Sequence, residues 1–497
     1  MLRRFASLML LQTRRHTEDL SEDLNEDLDD EDLDEKYYQL YVWITELSTL
    51  PSRPPLSLHS NGRCLFDSIP LEITVLIFQF ADQGNPYFLV RMSAVDHCWR
   101  EFVRCTPLLW ISIRLGRNWY YRSRSKFLMW IQAHLDHSAD LPLCVDLDFQ
   151  YVRSHAESRS VMEVLDPQLS RCYSFRLSAP DWDWMVIVAG YLGNLRDCLV
   201  FLSLQIGIGQ PYETDNPYET YPAPVLAGSF PNLRHLTLEH TPLISIFADA
   251  EVPRLREIHI IRNRQFPDEH HLPVSIPEFS LILTHHHELE IAHLAPVTFY
   301  EEVGQNLGRV LCERITAFKM FFVTQQDFKL FLQYFAFPSL ALLEIEIDVF
   351  FLYNVLQRDS VTTSSFPMVR HLELILQGHL EEQQDHTILR NLFAHMNQIR
   401  TLAFRTANSD ILIMDFFMAL REDTGGWTLP RLQDLRISGF RGESSWQLLG
   451  LVSERAHSGE VDSIHALFIA PSSVPASAVI CALKQEVTRF RILWPSG

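Results

Sequence analysis

Three stretches set the architecture: Phe230 to Leu238 reads FPNLRHLTL, Val252 to Ile260 reads VPRLREIHI, and Leu429 to Ile437 reads LPRLQDLRI. Each carries apolar-x-x-apolar-x-apolar behind a proline. The last two apolar positions stand two apart, the spacing of one face of a β-strand. The pattern recurs at Leu233-Leu236-Leu238, Leu255-Ile258-Ile260, Ile315-Phe318-Met320, Leu340-Leu343-Ile345 and Val369-Leu372-Leu374. It continues at Ile399-Leu402-Phe404, Leu432-Leu435-Ile437, Ile464-Leu467-Ile469 and Val487-Phe490-Ile492, with a weaker form at Leu289-Ile291. One such unit cannot bury its own apolar edge, so units must stack, each strand returned by a helix or loop. An α/β repeat array over 171–497 follows.

The side chains alternating with the inward ones form the candidate recognition surface: His235, Thr237, Glu239, Glu257, His259, Lys319, Phe321, Glu344, Glu346, Glu373, Arg405, Asp434 and Arg436. Acids, bases and an aromatic residue in such a mixture suit a protein or peptide partner better than a catalytic pocket.

Upstream, Asp67-Ser68-Ile69-Pro70-Leu71-Glu72 is a helix-entry signal: a capping side chain, a proline tolerated in the first turn and an acid at the positive end of the dipole. Apolar stripes follow at Ile69, Ile73, Leu76, Ile77 and Phe80, then at Phe88, Met92, Val95, Trp99 and Phe102. Pro107 stops the second before Leu108-Leu109-Trp110.

Residues 69–110 resemble the F-box, a trihelical motif reading Leu-Pro-x-Glu-Ile-Leu-x-x-Ile-Phe, then Val-x-x-x-Trp-Arg, then Pro-x-Leu-Trp. Here these positions are IPLEITVLIF from Ile69, VDHCWR from Val95 and TPLLW from Thr106, with Ile69 replacing leucine and Asp96 the common Cys or Ser. The resemblance implies docking on the Skp adaptor of a Skp–cullin ubiquitin ligase through Ile69, Pro70, Ile73, Ile77, Phe78, Leu89, Val95 and Trp99. The following Trp110-x-x-Ile113-x-Leu115 and Leu141-Pro-Leu resemble what succeeds the F-box in many proteins of mushroom-forming fungi. The array downstream resembles an irregular leucine-rich repeat, with the customary asparagine only at Asn263 and Thr241, Asp348, Gln377 or Phe440 at that place elsewhere. The expected organisation is a tail and linker over 1–63, the F-box over 64–110, a connecting strand and helix over 111–170 and then the solenoid. The expected function is substrate recognition for a ubiquitin ligase, linked through the adaptor to a cullin, without a catalytic site of its own.

Composition fits this picture. Hydrophobic residues make up 47% and charged residues 21%, ordinary for a globular chain, which rules out wholesale disorder. Net charge is −20, which argues against nucleic acid and anionic membranes as general partners. Twelve of the acids fall in 18–35, a segment without a base, behind an arginine-rich start. That start has the character of a mitochondrial presequence or of a short amphipathic helix. Otherwise a cytoplasmic or nuclear protein is expected, and no apolar run is long enough to span a bilayer. The eight cysteines show no metal or disulfide spacing, and no cofactor motif occurs. Histidines cluster at His134/His137, His270/His271 and His285–His287. A catalytic pair within 270–293 is the competing reading; a scaffold outside any ligase is another. The doubled Pro-Tyr-Glu-Thr at 211–214 and 217–220 reads as a loop insertion.

Overall fold

The computed structural model describes residues 71–493 apart from 83–87, 96, 117–123, 196–197, 208–229, 242–253, 262–273, 298, 301–307, 323–324, 349–351, 353–365, 378–386, 407–409, 423–425, 440–443, 460 and 474. The arginine-rich start, the acidic segment, the linker, Ile69, Pro70, the doubled Pro-Tyr-Glu-Thr, Asn263, His270, His271 and Phe440 lie outside the described residues. The chain divides into two compact units, one built from residues up to Trp110 with Asn118–His137, the other from Ile111–Arg117 and Ser138 onward.

The first unit is helical: α1 (Leu71–Asp82), α2 (Phe88–Val95), α3 (His97–Arg104), a 3₁₀ turn at Pro107–Leu109, and α4 (Arg124–His137). Val75, Phe78, Phe88, Leu89, Met92, Val103, Leu109 and Trp110 form its core, with Trp99 and Phe102 packed against it. Phe78 is the hub, its ring 5.8 Å from Phe88, 5.3 Å from Trp99 and 5.2 Å from Phe102. The buried Trp110 indole N–H donates to the Val103 carbonyl at 2.8 Å, so the ring enters the core without an unpaired donor. Val75 and Phe78 turn inward, whereas Ile73 and Leu76 of the apolar stripe are exposed. Helix α1 therefore has two apolar faces, and the core takes the one that carries Val75 and Phe78.

The second unit is a 14-stranded parallel sheet whose strands are neighbours in chain order. It opens with β1 (Ser112–Leu115), β2 (Leu143–Asp148), β3 (Cys172–Ala179), β4 (Phe201–Ile206) and β5 (His235–Glu239). It continues with β6 (Glu257–Ile261), β7 (Ile291–Val297), β8 (Ala317–Phe322), β9 (Leu342–Asp348) and β10 (His371–Gln377). It ends with β11 (Thr401–Thr406), β12 (Asp434–Ser438), β13 (Ala466–Ala470) and β14 (Arg489–Ile492). The sheet does not close; β1 and β14 are its edges. Parallel neighbours need a crossover. The described helices among these crossovers are α5 (His155–Leu165), α6 (Trp182–Leu192), α7 (Ile276–His285), α8 (Gln325–Tyr334), α9 (Thr387–Ala394), α10 (Asp410–Ala419), α11 (Ser445–His457) and α12 (Ser477–Glu486).

All nine clear pattern matches fall on strands, and in the first eight every apolar position is buried. The residue three before the inward pair, such as Leu255 or Val369, is buried at the turn into the strand. Inward side chains meet the helices: Phe318 lies 5.1 Å from Phe331 of α8, and Phe404 stacks at 4.2 Å on Phe416 of α10. At the weak match the register differs. Ala292 and Leu294 point inward and Ile291 sits on the opposite side, because a small alanine occupies the apolar position. The sheet also starts ahead of residue 171, since the stretch read as connecting supplies β1 and β2. Where the asparagine is missing after β5, the fully buried Thr241 hydroxyl donates to the Leu204 carbonyl at 3.3 Å and so ties the turn to β4.

A buried arginine secures the turn ahead of β12. Arg455 of α11 donates to the carbonyls of Leu429 (2.7 Å), Pro430 (3.1 Å), Leu432 (3.2 Å) and Asp462 (2.8 Å), and its guanidinium lies 5.0 Å from the Trp427 ring. Burial lowers its pKa to about 10, which leaves it charged at neutral pH.

Candidate functional site

Successive strand residues point to opposite sides of a sheet. With one set sealed beneath helices, the other forms an open face, and the register aligns it in rows. One row runs Arg114, Asp146, Arg176, Ser203, Thr237, His259, His293 across β1 to β7. It continues Lys319, Glu344, Glu373, Ala403, Arg436, Phe468, Arg491 to β14. All thirteen residues expected on the recognition surface occupy this face, in this row or the flanking ones. They differ in accessibility: Arg405 and Arg436 are exposed, Glu346 is buried, and the other ten are half-buried.

The centre of the face is a hydrogen-bonded chain. Glu257 accepts from His235 Nδ1 at 2.8 Å and from His259 Nε2 at 2.6 Å. His293 Nδ1 stands 3.4 Å from His259 Nδ1 and extends the chain. Burial pushes the Glu257 carboxyl upward, but its bonds from His259 and His235 outweigh this and hold it below the usual range. Burial, then the neighbouring His259 and Lys319, lower His293 to about 4, so it is neutral at physiological pH. The His235 ring stacks on Phe201 at 4.2 Å, and His293 lies 5.4 Å from Phe321. Beyond this chain, Lys319 pairs with Glu344 at 2.6 Å and Arg405 with Glu373 at 2.6 Å. Such half-exposed pairs contribute little to stability, on the order of 0–1 kcal/mol. They fix a charge pattern more than they hold the sheet.

Among the described residues no group of three or more His, Cys, Asp or Glu is disposed to hold a metal. Of the described histidines in 270–293, His285 and His287 are exposed, His286 is buried, and His293 alone lies on the open face. His134 and His137 belong to the helical unit, where the rings of Trp110 and Trp130 surround His134 at 5.0 and 4.3 Å.

In that helical unit, Ile73 and Val95 are exposed and Ile77 is half-buried. Phe78 and Leu89, expected as contact residues, are core side chains at 3% and 6% exposure, and Trp99 packs half-buried beside them. Their apolar character serves the module's own packing. Leu76, not among the expected contacts, is 58% exposed. It lies three residues from Ile73, which helical spacing makes a neighbour on the same face. Sequence reading also passed over Phe468, Arg489 and Arg491, which the same alternation would have placed on the open face.

Among the described residues no helix is long and apolar enough to cross a membrane. Compared with known proteins, the chain matches no family model and no curated protein.

Proposed function

We propose that this protein is a substrate receptor of a Skp–cullin–F-box type ubiquitin ligase. In this reading the part of the helical unit up to Trp110 is the F-box, docked on a Skp adaptor, and the open sheet is an irregular leucine-rich-repeat solenoid that holds a protein substrate. One observation carries it. Ile73, Leu76 and Ile77 share one face of α1, and Ile73 and Leu76 stay exposed at 41% and 58% although the module has a formed core of its own. Large aliphatic side chains left on a small helical module mark a surface meant for a partner. The motif residues Glu72, Trp99, Arg100 and Trp110 accompany that face in F-box order. The solenoid reading is supported by one strand per unit of mostly 22 to 33 residues, each parallel to the next.

The protein itself performs no bond chemistry in this mechanism. It raises the effective concentration of substrate lysines near a ubiquitin-charged enzyme, a gain that comes from proximity alone. Capture of a purified Skp adaptor by the intact chain tests the reading, with Pro70→Ala/Ile73→Asp expected to abolish capture while thermal unfolding of the sheet is unchanged. Absence of capture by the intact chain sinks it.

A further inference from the structure

The open face changes character along the sheet. From β2 to β10 it carries acids, among them Asp146, Glu239, Glu257 and Glu344, and the basic side chains there are partnered: Arg176 lies 3.9 Å from Asp146 and Lys319 2.6 Å from Glu344. From β12 to β14 the balance reverses. Arg436, Arg489 and Arg491 are all exposed, and none forms an ion pair among the described residues. Phe468 stands between Arg436 and Arg491 in the strand register, half-buried, with the Arg436 guanidinium 5.2 Å from its ring centre. In a chain of net charge −20 this is a local excess of positive charge around an apolar platform.

We infer that Arg436, Phe468 and Arg491 bind an extended acidic peptide segment of a partner protein, with an apolar side chain seated on Phe468 between two carboxylates. The inference rests on the open face being the receptor surface and names its ligand class; it does not depend on adaptor docking. Two strand spacings separate the arginines by roughly 10 Å. An extended peptide turns every second side chain to the same side, about 6.6 Å apart, so two carboxylates flanking an apolar side chain on that side stand about 13 Å apart, within reach of the two long arginine side chains, and the recognised pattern is acid-x-apolar-x-acid. Guanidinium groups meet carboxylates through paired hydrogen bonds, and Arg489, two residues along β14, adds a third cation on the same side. Nucleic acid fits less well. Phosphate backbones need a longer basic track, whereas Asp434 and Glu373 lie on the same face beside this patch.

The test is fluorescence anisotropy of a labelled (Glu-Ser-Leu-Ser)3 peptide with the full chain. Binding that weakens as salt rises is expected, with at least a tenfold loss in Arg436→Glu/Arg491→Glu and no binding of (Lys-Ser-Leu-Ser)3. The control Arg114→Glu/Arg176→Glu makes the same change of net charge at the far end of the same row and is expected to stay within twofold. Melting curves and adaptor capture of both variants should match the parent, which separates loss of this site from misfolding and from failure of the ligase reading. No binding by the parent chain, or equal losses in both variants, overturns the proposal. So does a single-stranded oligonucleotide that binds as tightly as the peptide and is lost in the same variant.

Discussion

The helical unit and the sheet expose opposite kinds of surface. On the helical unit, large aliphatic side chains such as Ile73, Leu76 and Val95 stand in solvent while a small core lies behind them. In the sheet most large aliphatic side chains are turned to the helices, and the open face carries mainly carboxylates, imidazoles, guanidinium groups and rings, with Ile261, Ile291 and Ile375 among them. Lasting interfaces resemble a core cut in half, whereas exchangeable ones are about as polar as ordinary surface. In the proposed reading, this contrast suits a stable docking role for the first and a changeable partner for the second.

Substitutions that reach into one unit and spare the other break or sharpen this division. The largest effect is expected from Phe331→Ala. Phe331 meets Phe299, Phe318, Phe335 and Phe337, and its loss should cost the sheet about 3–5 kcal/mol. Chemical denaturation followed by sheet-sensitive circular dichroism reads this, and adaptor capture should persist. A change below about 1 kcal/mol would show that the phenylalanine cluster is not the support assigned to it.

Next comes Arg455→Met, which keeps the bulk but strands the carbonyls of Leu429, Pro430 and Leu432. Roughly 2–3 kcal/mol should be lost, and hydrogen exchange should quicken around β12. An unchanged denaturation midpoint would mean that water replaces the guanidinium at no cost.

The smallest effect concerns pH and falls on the helical unit. His134, 4% exposed, is held neutral by burial down to a pKa of about 3, although the Trp110 carbonyl at 3.2 Å favours its proton; His137 is the neighbouring positive group that opposes it. The unfolded chain binds that proton near pH 6.5. Stability present above pH 6.5 is therefore lost as pH falls toward 3, by roughly 1 kcal/mol at pH 5.5 from this one residue. His134→Phe should flatten that slope in a denaturation series, and an equally steep slope in the variant would assign the acid sensitivity elsewhere.

How legible was this molecule in its sequence? Most of the strands were, through large apolar side chains at the repeated positions. Ala292 shows the limit, since a small residue at an inward site shifts the apparent register onto Ile291. Of the first four strands, β1 was read as a strand outside the array, Pro142 and Cys172 stand at the first position before β2 and β3, and β4 was missed although Leu199-Leu202-Leu204 keeps the pattern intact. Arg455 reads as a surface residue, and only the fold shows it beneath the turn at Leu429–Leu432. On α1 the periodic stripe was legible, but a helix with two apolar faces gives no local sign of which one the core takes. The core takes Val75 and Phe78, which leaves Ile73 and Leu76 in solvent.

Hydrogen–deuterium exchange of the full chain with and without a purified Skp adaptor tests the division most directly. The account predicts slowed exchange across Leu71–Asp82 on adaptor binding, with the amides of β5 to β14 unchanged. Protection centred on the sheet, or none on α1, would contradict it.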